Sequence, residues 1–263
     1  MSLNRGVIEP TRDDDLYIGW AKAPAVDRRF LLASAPLLLG VTTGLGWLVA
    51  KNLADPGAGK WETGATHVVE GALAMKPYPM IRLADENAPF GLRSVLIVAQ
   101  GKCTSALKLA DLDRLPVRAR GVLIERKDRR MLEVPLSVNQ WIEPLIADMP
   151  GVLVDPPTQS LGRFALAGQI MDSKCFFGVM RPGRGKTHKA CAALCIRGGV
   201  PPSFWARDEK GRESVLLMTD AEGGPLGEDI LPLVADPVAA EGDIVRVGDL
   251  LQFRANAGAY RRV

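Results

Sequence analysis

Residues 30–50 read FLLASAPLLLGVTTGLGWLVA, an uninterrupted run without a charged side chain. As a helix this run spans about 30 Å, the hydrocarbon thickness of a bilayer. The alternative is a buried core helix, but 21 uncharged residues after a double arginine are unusual in a soluble fold. Arg28 and Arg29 stand immediately before the run, with Lys22 nearby, and Lys51 alone follows it. That bias puts the N-terminus (residues 1–29) in the cytoplasm and the long C-terminal part outside it, in the periplasm. Trp47 suits an interfacial anchor at the outer end, and Pro36 sits where a membrane helix tolerates it.

The segment also has elements of a twin-arginine export signal in Arg28-Arg29-Phe30-Leu31-Leu32. Asp27 replaces the serine of that signal, however, and no residue separates the arginines from Phe30. No clean small-residue cleavage site follows the apolar run. Residues 30–50 are therefore read as a single-pass signal-anchor in the inner membrane.

The rest of the chain repeats itself. SVLIV at 94–98 is answered by SVLLM at 214–218, and PVRARG at 116–121 by PVAAEG at 237–242. VEGAL at 69–73 matches LAGQI at 166–170. The spacing recurs with the wording, since Ser94 to Gly121 is 27 positions and Ser214 to Gly242 is 28. Each copy alternates apolar and polar residues in short runs, the pattern of half-buried β-strands. Each ends in a hairpin, turning at Lys127-Asp128-Arg129 and at Val247-Gly248-Asp249. Arg126 to Arg130 then form a solvated hairpin tip, and residues 107–115 and 227–234 each read as a short helix. Five or so strands with one short helix predict a small closed barrel of the OB type. The expected fold class is mainly β: one transmembrane helix followed by two tandem OB-like modules. The first covers residues 51–145, a Pro-rich linker 146–160, and the second 161–263.

The copies differ in one place. Gly71 to Ser94 is 23 positions, whereas Gly168 to Ser214 is 46, so the second module carries an insertion. That insertion holds RPGRGKTHKACAALC, residues 181–195. Gly185-Lys186-Thr187 is the tail of a phosphate loop, but Met180 occupies the place of the first glycine and no parallel α/β pattern surrounds it, so no nucleotide is expected. The cysteines and histidine carry more. Cys175, His188, Cys191 and Cys195 are spaced x12, x2 and x3, and on a helix capped by Thr187 the last three share one face. Four ligands of Cys3His type suit zinc, with copper or an iron–sulfur centre as alternatives. Outside the cytoplasm the same thiols also suit disulfide chemistry. Cys191 and Cys195 lie badly for pairing with each other, so Cys175 would take one of them. That would leave one thiol and Cys103 for a bridge between modules. His67 has no such company and reads as structural or exposed.

Gly168-Gln-Ile-Met-Asp172-Ser173-Lys-Cys175, followed by His188, Cys191, Cys195 and Gly198, resembles small exported bacterial domains with a G-x-V-x-D-S-x-C…H…C-x3-C…G signature. The resemblance covers residues 163–263 and implies an OB-like barrel and export. The layout of an anchored periplasmic barrel is similar to that of the haem chaperone of cytochrome c maturation, but its H-x3-Y motif is absent, as is CxxCH.

With two histidines in the chain, neither in a hydrolase motif, the residues point away from an enzyme. A net charge of +3 and 6% aromatics point away from nucleic acid. The expected role is a structural or assembly subunit of a larger inner-membrane, plausibly respiratory, complex. The alternative is metal handling or electron transfer at the Cys/His cluster. Residues 13–20, DDDLYIGW, could grip a partner on the cytoplasmic side. The arginine bias makes one test direct: a reporter fused after Val263 should be active only outside the cytoplasm, and cytoplasmic activity would reverse the orientation.

Overall fold

A computed structural model describes residues 25–52, 59–136, 141–146, 155–178, 180, 183–207 and 212–263. Two compact units emerge, residues 1–56 and 57–263. The first contains helix α1 (Ala25–Asn52), which starts five residues before the apolar run and holds Pro36 within it. Its stretch Ala25–Leu48 is long and apolar enough to cross a membrane. Two of its hydroxyls bond to its own backbone: Ser34 Oγ donates to the Phe30 carbonyl at 2.6 Å and Thr42 Oγ1 to that of Leu38 at 2.7 Å. Hydrocarbon offers such groups no other acceptor. The segment 13–20 lies outside the described residues.

The second unit is mainly β. Its first sheet contains β1 (Gly59–Trp61), β2 (His67–Ala74), β3 (Met80–Ala84), β4 (Leu92–Ala99), β5 (Pro116–Arg126), β6 (Arg129–Val134) and β7 (Ile142–Pro144). Five of these close into a barrel in the order β5-β2-β3-β4-β6 and back to β5. Only β4 and β6 run parallel. The second sheet contains β8 (Thr158–Asp172), β9 (Pro202–Arg207), β10 (Glu213–Thr219), β11 (Pro237–Val247), β12 (Leu250–Arg254) and β13 (Tyr260–Arg262). Its pairings follow the same order, β11-β8-β9-β10-β12 and back to β11, with β10 and β12 parallel.

The matched wording falls in matched register. Gly71 faces Val117, and Gly168 faces Val238. Gly121 faces His67, and Gly242 faces Phe164. These glycines are required by close approach: a Cβ on Gly71 would run into the Arg82 carbonyl, and one on Gly168 into that of Trp205. The irregular positions match as well. Arg114 (φ 66°) donates its N–H to the Leu73 carbonyl, and Ala235 (φ 62°) donates to that of Ile170, each at 2.8 Å. Lys127 and Gly248 take the left-handed place in the two hairpin turns, at φ 54° and 59°.

Several expectations change. Arg126 belongs to no solvated tip: it is buried, its guanidinium 4.1 Å from the centre of the Phe176 ring. Arg129 reaches the backbone of Asp249 and Val215 instead of water. Only Lys127 and Asp128 are fully exposed there. The helix expected over 107–115 is a single 3-10 turn, Ala110–Leu112, with another just before the span at Thr104–Ala106. That over 227–234 is a 3-10 helix, Glu228–Leu233, with Pro232 inside it. β8 starts at Thr158, so the last residues of the expected linker are strand, while 147–154 lie outside the described residues.

Three apolar clusters result. Leu73, Ile81, Ile97 and Leu132 fill the first barrel. Ile170, Phe204, Met218 and Phe253 fill the second. The third joins Met80, Leu96 and Met131 to Met171, Phe176 and Leu217, and so lies in the seam between the sheets. Polar bonds cross that seam too. The Tyr78 hydroxyl donates to the Met218 carbonyl at 2.9 Å, and Ser94 N–H donates to Asp249 Oδ1 at 3.0 Å. Deepest is Lys174, whose side chain is 3% exposed. Its ammonium pairs with Glu133 and donates to the carbonyls of Ala99 and Gly101 at 2.7 and 3.0 Å.

Removing one partner of such a buried pair strands the other charge. Lys174→Met should cost about 3–5 kcal/mol, and Lys174→Met with Glu133→Met should recover part of that loss. Denaturant unfolding of the two variants decides it. A double variant no more stable than the single one would refute the charge argument.

Candidate metal centre

The insertion between β8 and β9 folds into two short helices, α2 (Ser173–Phe177) and α3 (Lys189–Arg197). Asp172 ends β8 and caps α2, accepting the Cys175 N–H at 2.8 Å on Oδ1. This is the N-cap role for which aspartate is preferred. Gly185 (φ 82°) turns the chain into a 3-10 turn, Lys186–His188, which runs into α3. Thr187 does not cap that helix as the sequence suggested: His188 stands at the cap position, without a capping bond from its side chain. The Gly-Lys-Thr tail is thus the lead-in to His188.

His188 is buried, and so are Cys175 and Cys195, while Cys191 is half-buried. One ligand atom each from Cys175, His188 and Cys191 falls within 4.8 Å of the others. The same holds for Asp172, Cys175 and Cys195. Cys175 belongs to both groups, so the four residues expected from spacing gather around its sulfur. Cys103 is exposed and in neither group, and His67 stands apart, paired with Glu62 at the start of β2. All four cysteines are free thiols.

Two residues were missed by the ligand assignment. Asp172 Oδ2 lies 3.0 Å from His188 Nε2. A carboxylate on one ring nitrogen holds the imidazole and leaves Nδ1 for a metal, the usual arrangement around ligating histidines. Asp172 is part of the D-S-x-C signature, so a search for partners of His188 could have found it. Lys102 lies beyond the end of β4, in the other half of the unit, and its ammonium donates to Cys191 Sγ at 3.3 Å. No spacing in the sequence marks it.

The electrostatics follow from this packing. The hydrogen bond to Cys195, aided by burial, pushes the Cys175 thiol well above its ordinary range. The same bond draws Cys195 down, against its burial, with Lys102 contributing. Burial works against the Lys102 ammonium, but the sulfurs of Cys191, Cys195 and Cys175 outweigh it and hold the group above the ordinary lysine value. The group of Cys175, His188 and Cys191 can hold a thiophilic metal ion. Two of the sulfurs lie close enough to Cys175 to pair with it after modest adjustment.

No family model, curated protein or solved structure matches this chain. The geometry itself defines the class: a β-barrel protein with an N-terminal apolar helix and a buried Cys/His group able to take a metal ion.

Asp172→Asn keeps the size and a capping oxygen but removes the charge facing His188. Metal affinity should fall by about 10–100-fold, the usual loss for a partner that orients a ligand. Chelator competition measures it, and an affinity equal to that of the unaltered chain would remove Asp172 from the centre.

Proposed function

We propose that this chain is a single-pass protein of the inner membrane whose periplasmic part is two tandem OB-like barrels, and that it serves as a structural or assembly subunit of a larger membrane complex, plausibly a respiratory one. The Cys3His group of Cys175, His188, Cys191 and Cys195 holds zinc and fastens the inserted helices in the seam. The observation that carries this reading is where the cluster sits. Cys175 and Cys195 belong to the apolar cluster that joins the two sheets, and the ligands around them are largely out of water. Closed sites of this kind stabilise folds, whereas catalytic zinc keeps a position open for water or substrate.

Further observations support it. The identical strand order in both sheets, with its one parallel pair, is the order expected of OB-type barrels. Residues 163–263 also resemble exported bacterial domains with a G-x-V-x-D-S-x-C…H…C-x3-C signature, although the loop between Cys175 and His188 is longer here. The outer half of β8 is exposed along its length, and β9 pairs only with Gly168 to Asp172. Among the described residues, Thr158 to Ala167 therefore lack a strand on their second side, with Leu161 and Phe164 exposed there. A free edge with apolar side chains is a template for pairing with another chain.

The second reading, metal handling or electron transfer, is favoured by one observation: Cys191 is only half-buried, which gives an ion a way in. Exchange rate separates the two. A fastening ion resists an excess of chelator for as long as the fold persists, and a transported one leaves within seconds.

The test is metal analysis and thiol counting on the full chain purified in detergent, alone and with two substitutions. One zinc per chain is expected. His188→Ala should lower zinc content and stability together. Cys175→Ser should do so more severely, since it removes the sulfur common to both groups. If His188→Ala changes nothing, and Cys175→Ser exposes one new thiol, the cluster is a disulfide worth roughly 2–5 kcal/mol and the metal reading falls.

A further inference from the structure

A divalent ion held by three thiolates and a neutral imidazole keeps one negative charge. Buried net charge is costly unless something opposes it. Asp172 cannot do so, being itself a carboxylate. Lys174 is close at hand, but its ammonium is already committed to Glu133 and to two carbonyls. Lys102 remains. Its one hydrogen bond among the described residues goes to Cys191 Sγ, at 3.3 Å.

The placement of Lys102 is built into the backbone. It belongs to the connection between β4 and the 3-10 turn Thr104–Ala106, which packs on the C-terminal end of α3. Ser105 N–H donates to the Gly198 carbonyl at 2.8 Å. Gly198 lies so close that a Cβ there would overlap the Lys102 carbonyl, and a Cβ on Gly199 would meet Ser105 N at 2.7 Å. On the other side, Lys174 holds the Gly101 carbonyl. Gly101 before Lys102 and Ser105 after it are thus both tied to the insertion, which fixes the origin of the side chain.

We infer that Lys102 is a positioning residue of the metal centre, supplied by the other barrel: its ammonium donates to the Cys191 thiolate and offsets the single negative charge of a divalent Cys3His site. The inference rests on the metal reading of the cluster given above. Its consequence is that the inserted helices alone do not make the full site. The ion binds at full strength only when the first barrel is docked, and its presence in turn favours docking. This coupling is the linkage expected whenever a ligand binds the assembled state alone.

The experiment uses the full chain in detergent, loaded with cobalt(II) as a visible stand-in for zinc, in three forms: unaltered, Lys102→Met and Lys102→Arg. Methionine keeps the stem and removes the charge; arginine keeps a donor and the charge. Lys102→Met should weaken metal binding about 10–100-fold in chelator competition, the range found for groups that support ligands from outside the first sphere. It should also move the sulfur-to-cobalt charge-transfer band to longer wavelength, because a thiolate without its N–H donor is more easily oxidised. Lys102→Arg should restore most of both. A role limited to packing would lower the melting temperature and leave the band in place. Unchanged affinity and spectrum in Lys102→Met overturn the inference while the metal centre stands. If the unaltered chain binds neither zinc nor cobalt, the metal reading itself is overturned, and the role of Lys102 goes with it.

Discussion

The ammonium of Lys174 is the constraint on which the second unit depends. Taking it out of water costs several kcal/mol, and only a complete set of partners offsets that. Glu133, Ala99 and Gly101 provide the set, all from the first sheet and its outgoing loop. Glu133 is itself held by the Trp61 indole N–H at 3.1 Å. One side chain of α2 thereby fixes a five-residue helix against a barrel to which it is not adjacent in sequence. Cys175 follows Lys174 directly, so the anchoring of the charge is also the anchoring of the sulfur around which the cluster gathers. Gly101 precedes Lys102, so the same bond steadies the cation that faces Cys191.

This explains why a helix so short survives. Five residues cannot sustain a helix by propensity, since nucleation alone is unfavourable. α2 persists because Asp172 caps it, Lys174 is bonded on all sides, and Phe176 and Phe177 bury themselves in the seam. Arg126 is drawn in for a related reason. Stacked on Phe176, its guanidinium covers apolar surface that a free hairpin tip would leave open. A run of charges that reads as solvent-facing is in part an interface, because the surface it faces belongs to the other half of the chain.

That is also the limit of what the residues convey on their own. The apolar run, the strand-forming repeats and the hairpin turns rest on local rules: length without charge, period-two alternation, and turn residues. Gly71 and Gly168 stand out in sequence because close strand approach leaves no room for a Cβ. The gathering of His188, Cys191 and Cys195 around Cys175 follows from their helical spacing. The short strands β1, β3, β7, β9 and β13 are not legible, since three to six residues give too few alternations to read. The 3-10 turns in place of helices follow from Pro232 and from segments too short to close α-helical turns. Lys102 is the clearest case of the kind: it lies in a connection of no distinctive composition, and its meaning appears only when Gly198 lets two backbones touch.

The difference between the two barrels then acquires a physical sense. In the first, β2 passes to β3 through a short connection, and the irregular turn at Arg114 lies near the surface. In the second, the corresponding connection has grown into α2 and α3, and the matching turn at Ala235 is buried, with the neighbouring Asp236 bonded to Lys189 of α3 at 2.7 Å. The insertion has therefore closed over its own barrel at one end and into the seam at the other. Its two helices, of five and nine residues, bury Phe176, Phe177, Ala192 and Cys195 in doing so. The polar contacts of Asp172, Lys174 and Lys189 add to that hold. An ion shared by Cys175 on α2 with His188 and Cys191 at the head of α3 would tie the two helices together within the seam, and Lys102 would tie that knot to the first barrel.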